Sequence, residues 1–125
     1  MTVINDLRPL DDLFGKETPD YLSMTLEEYW EQVFWPVRKG DRVEPTAPVA
    51  APSTWKRDLP RYNRMWEKIG QVRLRDLNPW VFQRFLDGLD IAGSGKVLFK
   101  KAYKAMLDYA HMRGHIREVH DFFRI

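Results

Sequence analysis

Apolar positions recur at helical spacing in four successive stretches of this chain, a pattern that predicts a helix-dominated fold. The most informative stretch is Ser53 to Gly70. Read at about 100° per residue, Trp55, Leu59, Tyr62, Met65, Trp66 and Ile69 fall on one side. Arg57, Arg61, Arg64 and Lys68 form a cationic stripe on the other, with no acid among them. Ser53 or Thr54 is placed to cap its first turn, and Gly70 to end it in a left-handed conformation. Pro60 lies inside the pattern, so the helix either kinks there or restarts with Pro60 near its first turn.

The other stretches carry their own boundary signals. Thr25 with Glu28 reads as a capping box, and Leu26, Tyr29, Trp30, Val33, Phe34 and Val37 repeat behind it, predicting a helix from Thr25 to Arg38. Pro36 should kink or stop its last turn. That apolar face is read as core, with Trp30 or Trp35 as the candidates to project toward a partner. Asn78-Pro79 is a cap followed by proline at the first helical position, leading Val81, Phe82, Phe85, Leu86 and Leu89 to a stop between Gly88 and Asp90. The last long helix is expected from Ser94, its cap, to Arg113, stopped by Gly114. Leu98, Ala102, Ala105, Met106, Tyr109 and Ala110 would face inward, while Lys96, Lys100, Lys104 and His111 line the opposite face beside Lys101. Between the second and third helices, Gln71 to Leu77 is a connection pegged by Leu74 and Leu77.

Three segments lack such periodicity. Residues 1–23 read as an acidic leader with at most one helical turn, and it either frays, shields the basic face or docks on a partner. Residues 39–52 hold Pro45, Pro48 and Pro52 among small residues and read as an extended linker within the domain; a bare P-x-x-P at Pro45 and Pro48 is too little for an SH3 ligand. The end, 117–125, brings Val119, Phe122, Phe123 and Ile125, an apolar tail or short closing helix that must be buried somewhere.

A length of 125 residues with 44% hydrophobic and 14% aromatic content bounds this to one globular domain with a core rich in Trp and Phe. Cysteine is absent, which removes disulfides and thiolate chemistry and suits a reducing cytoplasm. No run of 18 apolar residues occurs, so the expectation is a soluble cytoplasmic protein with no membrane partner. The net charge of +2 hides a polarity: residues 1–51 carry five Lys/Arg against ten Asp/Glu, and residues 52–125 carry fifteen against eight. A polyanion would meet the basic part.

Catalytic constellations are missing. Ile91 to Lys96 ends in Gly-Ser-Gly-Lys, but a phosphate loop needs glycine where Asp90 stands and Ser or Thr where Val97 stands. His111, His115 and His120 have no acid at an H-E-x-x-H position, so no metal and no cofactor is expected.

In this order, the segments resemble the core-binding, or SAM-like amino-terminal, domain of tyrosine recombinases and phage integrases. The resemblance rests on four pieces: Met24-Thr25-Leu26-Glu27-Glu28-Tyr29; Ser53-Thr54 opening a helix that ends Ile69-Gly70; Leu74-Arg75-Asp76-Leu77-Asn78 before the helix of Val81 to Leu89; and Tyr109-Ala110-His111-Met112-Arg113-Gly114-His115-Ile116. It implies an all-α compact bundle of four to five helices over 24–116, bacterial or phage-encoded and forming one half of a clamp on double-stranded DNA, with the helices of Ser53–Gly70 and Ser94–Gly114 against the duplex. The DNA-binding residues expected are then Lys56, Arg57, Arg61, Arg64, Lys68, Lys96, Lys100, Lys101 and Lys104. It also implies self-association on DNA or a separate catalytic-domain partner. After Ile116 this chain departs from the family, with Arg117-Glu118-Val119-His120-Asp121 in place of Asn-Pro and a linker. The catalytic Arg, His-x-x-Arg and Tyr have no counterpart here, so the chain itself is not expected to be an enzyme. It reads as an excised recombinase domain or a free-standing relative, and the alternative is a phage or prophage protein that uses the same bundle for protein–protein assembly.

Overall fold

Thr25 starts the first helix by reciprocal capping: its hydroxyl accepts from the Glu28 N–H at 3.1 Å while its own N–H donates to Glu28 Oε1 at 2.9 Å. The computed structural model describes residues 20–44 and 49–117. Among them it contains helices α1 (Leu26–Tyr29), α2 (Trp35–Lys39), α3 (Pro52–Ile69), α4 (Pro79–Asp87) and α5 (Gly93–Met112), and no strand. The all-α class is therefore as expected. The leader through Pro19, Pro45 and Pro48 in the linker, and the tail from Glu118 onward lie outside the described residues; of the leader, only one 3-10 turn, Tyr21–Ser23, is described.

α1 and α2 run end to end through a π-helical turn, Trp30–Phe34. The wider turn ends two residues before Pro36, which has no N–H to give the Gln32 carbonyl four residues back. That carbonyl accepts instead from Arg42 Nη2 at 2.8 Å. Proline here widens the helix rather than stopping it, and the stop comes at Gly40, whose φ of 87° is left-handed. Trp30 and Trp35 stack at 5.0 Å and both are buried, so neither projects outward.

α3 passes unbroken through Pro60, resolving the choice left by the sequence. Pro60 and Lys56 are both exposed, so the Lys56 carbonyl that loses its donor lies on the solvent side, where water can serve it. The helix begins two to three residues earlier than a cap at Ser53 or Thr54 would place it: Pro52 is its first residue, Ala51 precedes it, and neither Ser53 nor Thr54 caps it. Gly70 stays right-handed at φ −61°, against expectation. A Cβ at Gly70 would come within 2.9 Å of the Trp66 side chain, so the site is closed to larger residues by packing.

α4 follows its signals, with Asn78 Oδ1 accepting from the Trp80 N–H at 2.9 Å and Pro79 next. α5 starts at Gly93 behind Ala92, without a cap from Ser94. It ends as expected at Gly114, φ 77°, in a Schellman turn: His115 N–H reaches the Ala110 carbonyl at 2.8 Å and Gly114 N–H the His111 carbonyl at 3.0 Å. The buried side of α5 is rotated from the one expected. Phe99, Tyr103 and Leu107 join Ala102, Met106, Tyr109 and Ala110 in the core, whereas Leu98 is 42% exposed.

The core is aromatic. Tyr62 of α3 lies among Trp30, Phe34, Trp35 and Trp66 at 5.4–6.2 Å, and Phe82 of α4 stacks on Tyr103 of α5 at 4.1 Å. Residues 24–27 are tied to 70–74 by backbone bonds, Leu26 N–H to Val72 O at 2.8 Å and Leu74 N–H to Met24 O at 2.9 Å. Leu74 is the buried peg of that connection. At one end, His115 stacks on Tyr21 at 3.8 Å and hydrogen-bonds the Tyr29 hydroxyl at 2.6 Å. Beside it, Tyr109 donates to Glu44 at 2.7 Å and Arg113 lies 3.6 Å from the same carboxylate.

Two predictions test these contacts. Thr25→Ala removes the capping box and should cost about 1 kcal/mol in a urea titration. Burial first, and then Arg113, hold the His115 imidazole below its ordinary 6.5, with Glu44 pulling the other way. The unfolded chain therefore takes up this proton at a higher pH than the folded one. The contribution of His115 is complete above about pH 6.5 and is lost as pH falls through the lower folded value. Unfolding midpoints measured from pH 8 to pH 5 should fall less steeply for His115→Gln than for the parent chain.

Candidate nucleic-acid interface

The expected cations do not form one continuous stripe. On α3, Arg57, Arg64 and Lys68 are exposed, but Arg61 turns back on its own helix, 3.0 Å from Asp58 Oδ1. Both side chains of that pair are largely shielded, at 19% and 15% exposure, so the helix carries an acid within its basic face. Lys56 lies 5.7 Å over the Trp55 ring and Arg64 lies 5.8 Å over Phe99 of α5, where ring quadrupoles favour a cation.

Tertiary packing divides these residues between two hollows. The first, about 390 Å³, is lined by Thr54, Arg57, Asp58 and Arg61 of α3, Leu98, Lys101 and Ala102 of α5, and Arg38 of α2. The second, about 550 Å³, opens between α3 and α4. Arg64, Lys68 and Arg84 give its rim a positive balance against Glu67, over an apolar floor that includes Ile69, Val81 and Phe85. The structure thus brings Arg57, Arg61 and Lys101 together, and sets Arg64 and Lys68 beside Arg84. Lys96, Lys100 and Lys104, four residues apart along α5, line neither hollow, and Lys104 sits 3.7 Å from Asp108.

Arg38 and Arg84 were not among the residues anticipated from sequence. Each belongs to a helix whose legible feature was its apolar face, and only the approach of a second helix makes either part of a basic hollow. Arg84 was visible as an outward position between Phe82 and Phe85; Arg38 gave no signal beyond its place in a last turn. Among the described residues, no cluster of three or more His, Asp or Glu could hold a metal ion, and no helix is long and apolar enough to cross a membrane. Comparison with protein-family models, with curated proteins and with solved structures gives no match.

The Asp58–Arg61 pair should be structural as well as electrostatic. Asp58→Asn leaves a mostly shielded guanidinium with a weaker acceptor and should lower stability by about 1–3 kcal/mol, read from the urea midpoint. An unchanged midpoint would mean that water serves Arg61 equally well.

Proposed function

We propose that this chain is a DNA-binding module of the core-binding kind used by tyrosine recombinases, holding duplex DNA by its phosphates without performing chemistry on it. The observation that carries this reading is the gathering of Arg38, Arg57, Arg61 and Lys101 from three helices around one hollow that contains a single carboxylate. Collecting like charges is unfavourable unless a polyanion or salt compensates it. The neighbouring rim of Arg64, Lys68 and Arg84 extends the positive surface along α3.

The order of elements supports the SAM-like assignment. The capped start at Thr25, the end of α3 at Ile69-Gly70, the Asn78 cap and the Gly114 stop all fall where the resemblance requires helix boundaries. On this reading the duplex lies across α3 and α5, most contacts go to phosphates, and base edges receive few. A catalytic domain acts as a separate partner.

A random 30-base-pair duplex, titrated by fluorescence anisotropy at several salt concentrations, tests the proposal. With about five cations on phosphates, log K should fall against log salt with a slope of roughly −4 to −5. Arg57→Glu combined with Lys101→Glu alters two exposed positions, so helical circular dichroism should persist while affinity drops tenfold or more. Absence of binding by the parent chain at low salt would reject the DNA reading. It would turn attention to a protein-assembly role, for which exposed Leu98 and Met112 on α5 supply apolar surface.

A further inference from the structure

Three cations of the first hollow have no acidic partner among the described residues. Its one carboxylate, Asp58, is engaged by Arg61, whereas Arg38, Arg57 and Lys101 form no ion pair. Arg38 differs from the rest in a second respect. Its Nε–H is sealed from solvent and meets no acceptor, so a ligand in the hollow cannot bond that atom and would be met by the terminal nitrogens of the guanidinium. The Arg38 side chain also lines a smaller hollow of about 260 Å³ with Phe34, Val37, Ala105, Asp108, Tyr109 and Met112, so it stands as the wall between the two. Its backbone is fixed as well: its carbonyl accepts from the Ala50 N–H at 2.9 Å, on the chain that leads into α3.

We propose that the hollow between α2, α3 and α5 seats one phosphate group, with Arg38 as its inner anchor and Arg57, Lys101 and the Thr54 hydroxyl completing the shell. This deepens the DNA reading by singling out one position on the surface, and it rests on that reading only for the source of the phosphate. A planar guanidinium suits a tetrahedral oxyanion because its N–H groups reach two oxygens together. Thr54 adds a neutral donor. Asp58 does not defeat the site, because its charge is matched by Arg61 and three cations remain. The volume, about 390 Å³, lies within the roughly 300–1,000 Å³ of small-ligand pockets. It admits either a sugar–phosphate unit of a nucleic acid backbone or a free phosphorylated molecule. The second hollow has cations only on its rim and an apolar floor, and it carries no comparable shell.

The test has two arms on the full chain. In the first, inorganic phosphate is titrated while arginine side-chain Nε–H resonances are followed by NMR, at constant ionic strength. The Arg38 and Arg57 signals should shift and saturate, while Arg84, at the other hollow, should not saturate. In the second arm, Arg38→Gln is compared with the parent chain on a random duplex. Affinity should fall fivefold or more whatever the sequence, and the salt slope should shrink by about 1. Arg38→Lys should recover part of the loss, because it restores the charge without the planar fork. Should Arg38→Gln fail to fold, Lys101→Gln, altered at an exposed position, serves in its place.

Saturation by phosphate together with the loss of duplex affinity supports a backbone seat. Saturation by phosphate in a chain that binds no duplex supports the seat, assigns it to a small phosphorylated ligand, and rejects the DNA reading. No saturable shift, with duplex affinity and slope unchanged in both variants, overturns the seat and leaves the DNA reading standing on the other cations.

Discussion

The arrangement of this protein depends on the side chain of Tyr62. Its ring is fully buried among Trp30, Phe34, Trp35 and Trp66, and its hydroxyl donates to the carbonyl of Ala102 on α5. One residue thus fixes α3 against the first helix through aromatic packing and against α5 through a directed hydrogen bond. Its neighbour in sequence, Arg61, and the neighbour of its acceptor, Lys101, both line the basic hollow. The distance between those cations is therefore set by the core beneath them. Burial pushes the Tyr62 phenol well above its ordinary value, as it does for Tyr103, so both stay neutral throughout the physiological range.

The polar groups are arranged with equal economy at the opposite end of α5. Tyr109, whose phenol is raised to about 12 by burial and by Glu44, keeps its proton and donates a hydrogen bond to that carboxylate, and Arg113 lies beside the charge. Glu44 belongs to the chain that leaves Gly40, so the stretch between α2 and α3 is drawn onto the bundle before it enters α3. The bond from Ala50 N–H to the Arg38 carbonyl does the same from the other side. A linker expected to be extended is, where it is described, held at both ends by the elements it joins.

Local chemistry was legible in the sequence wherever one residue decided one boundary. The Thr25–Glu28 box, Asn78-Pro79 and Gly114 each encode a geometry that only a few residue types satisfy, and each stands where it was read. The aromatic side of α3 was equally plain, because its apolar residues are large and its polar ones charged. On α5 the same reasoning misplaced the inner face. Small alanines and large aromatics alternate there, and the helix is covered by both α3 and the first helix, so a single stripe is the wrong template. Of the candidate site, the cations were legible but their grouping was not. The acid at Asp58, three residues before Arg61, was within reach of a sequence argument, as spacing alone lets such a pair meet. Arg38 and Arg84 were beyond it, since their neighbours come from other helices.

The stacking of His115 on Tyr21 also bears on how the chain is made. Tyr29 and His115 are separated by 86 positions, yet they share a hydrogen bond. During synthesis the N-terminal residues of the bundle leave the ribosome first, and they must wait with this contact unmade until the C-terminal turn at Gly114 has emerged. The Tyr29 end of the first helix is therefore sealed later than its Trp30, Phe34 and Trp35 positions, which α3 covers. The closing turn at Gly114 thus acts as the latch that brings His115 onto Tyr21 and Tyr29.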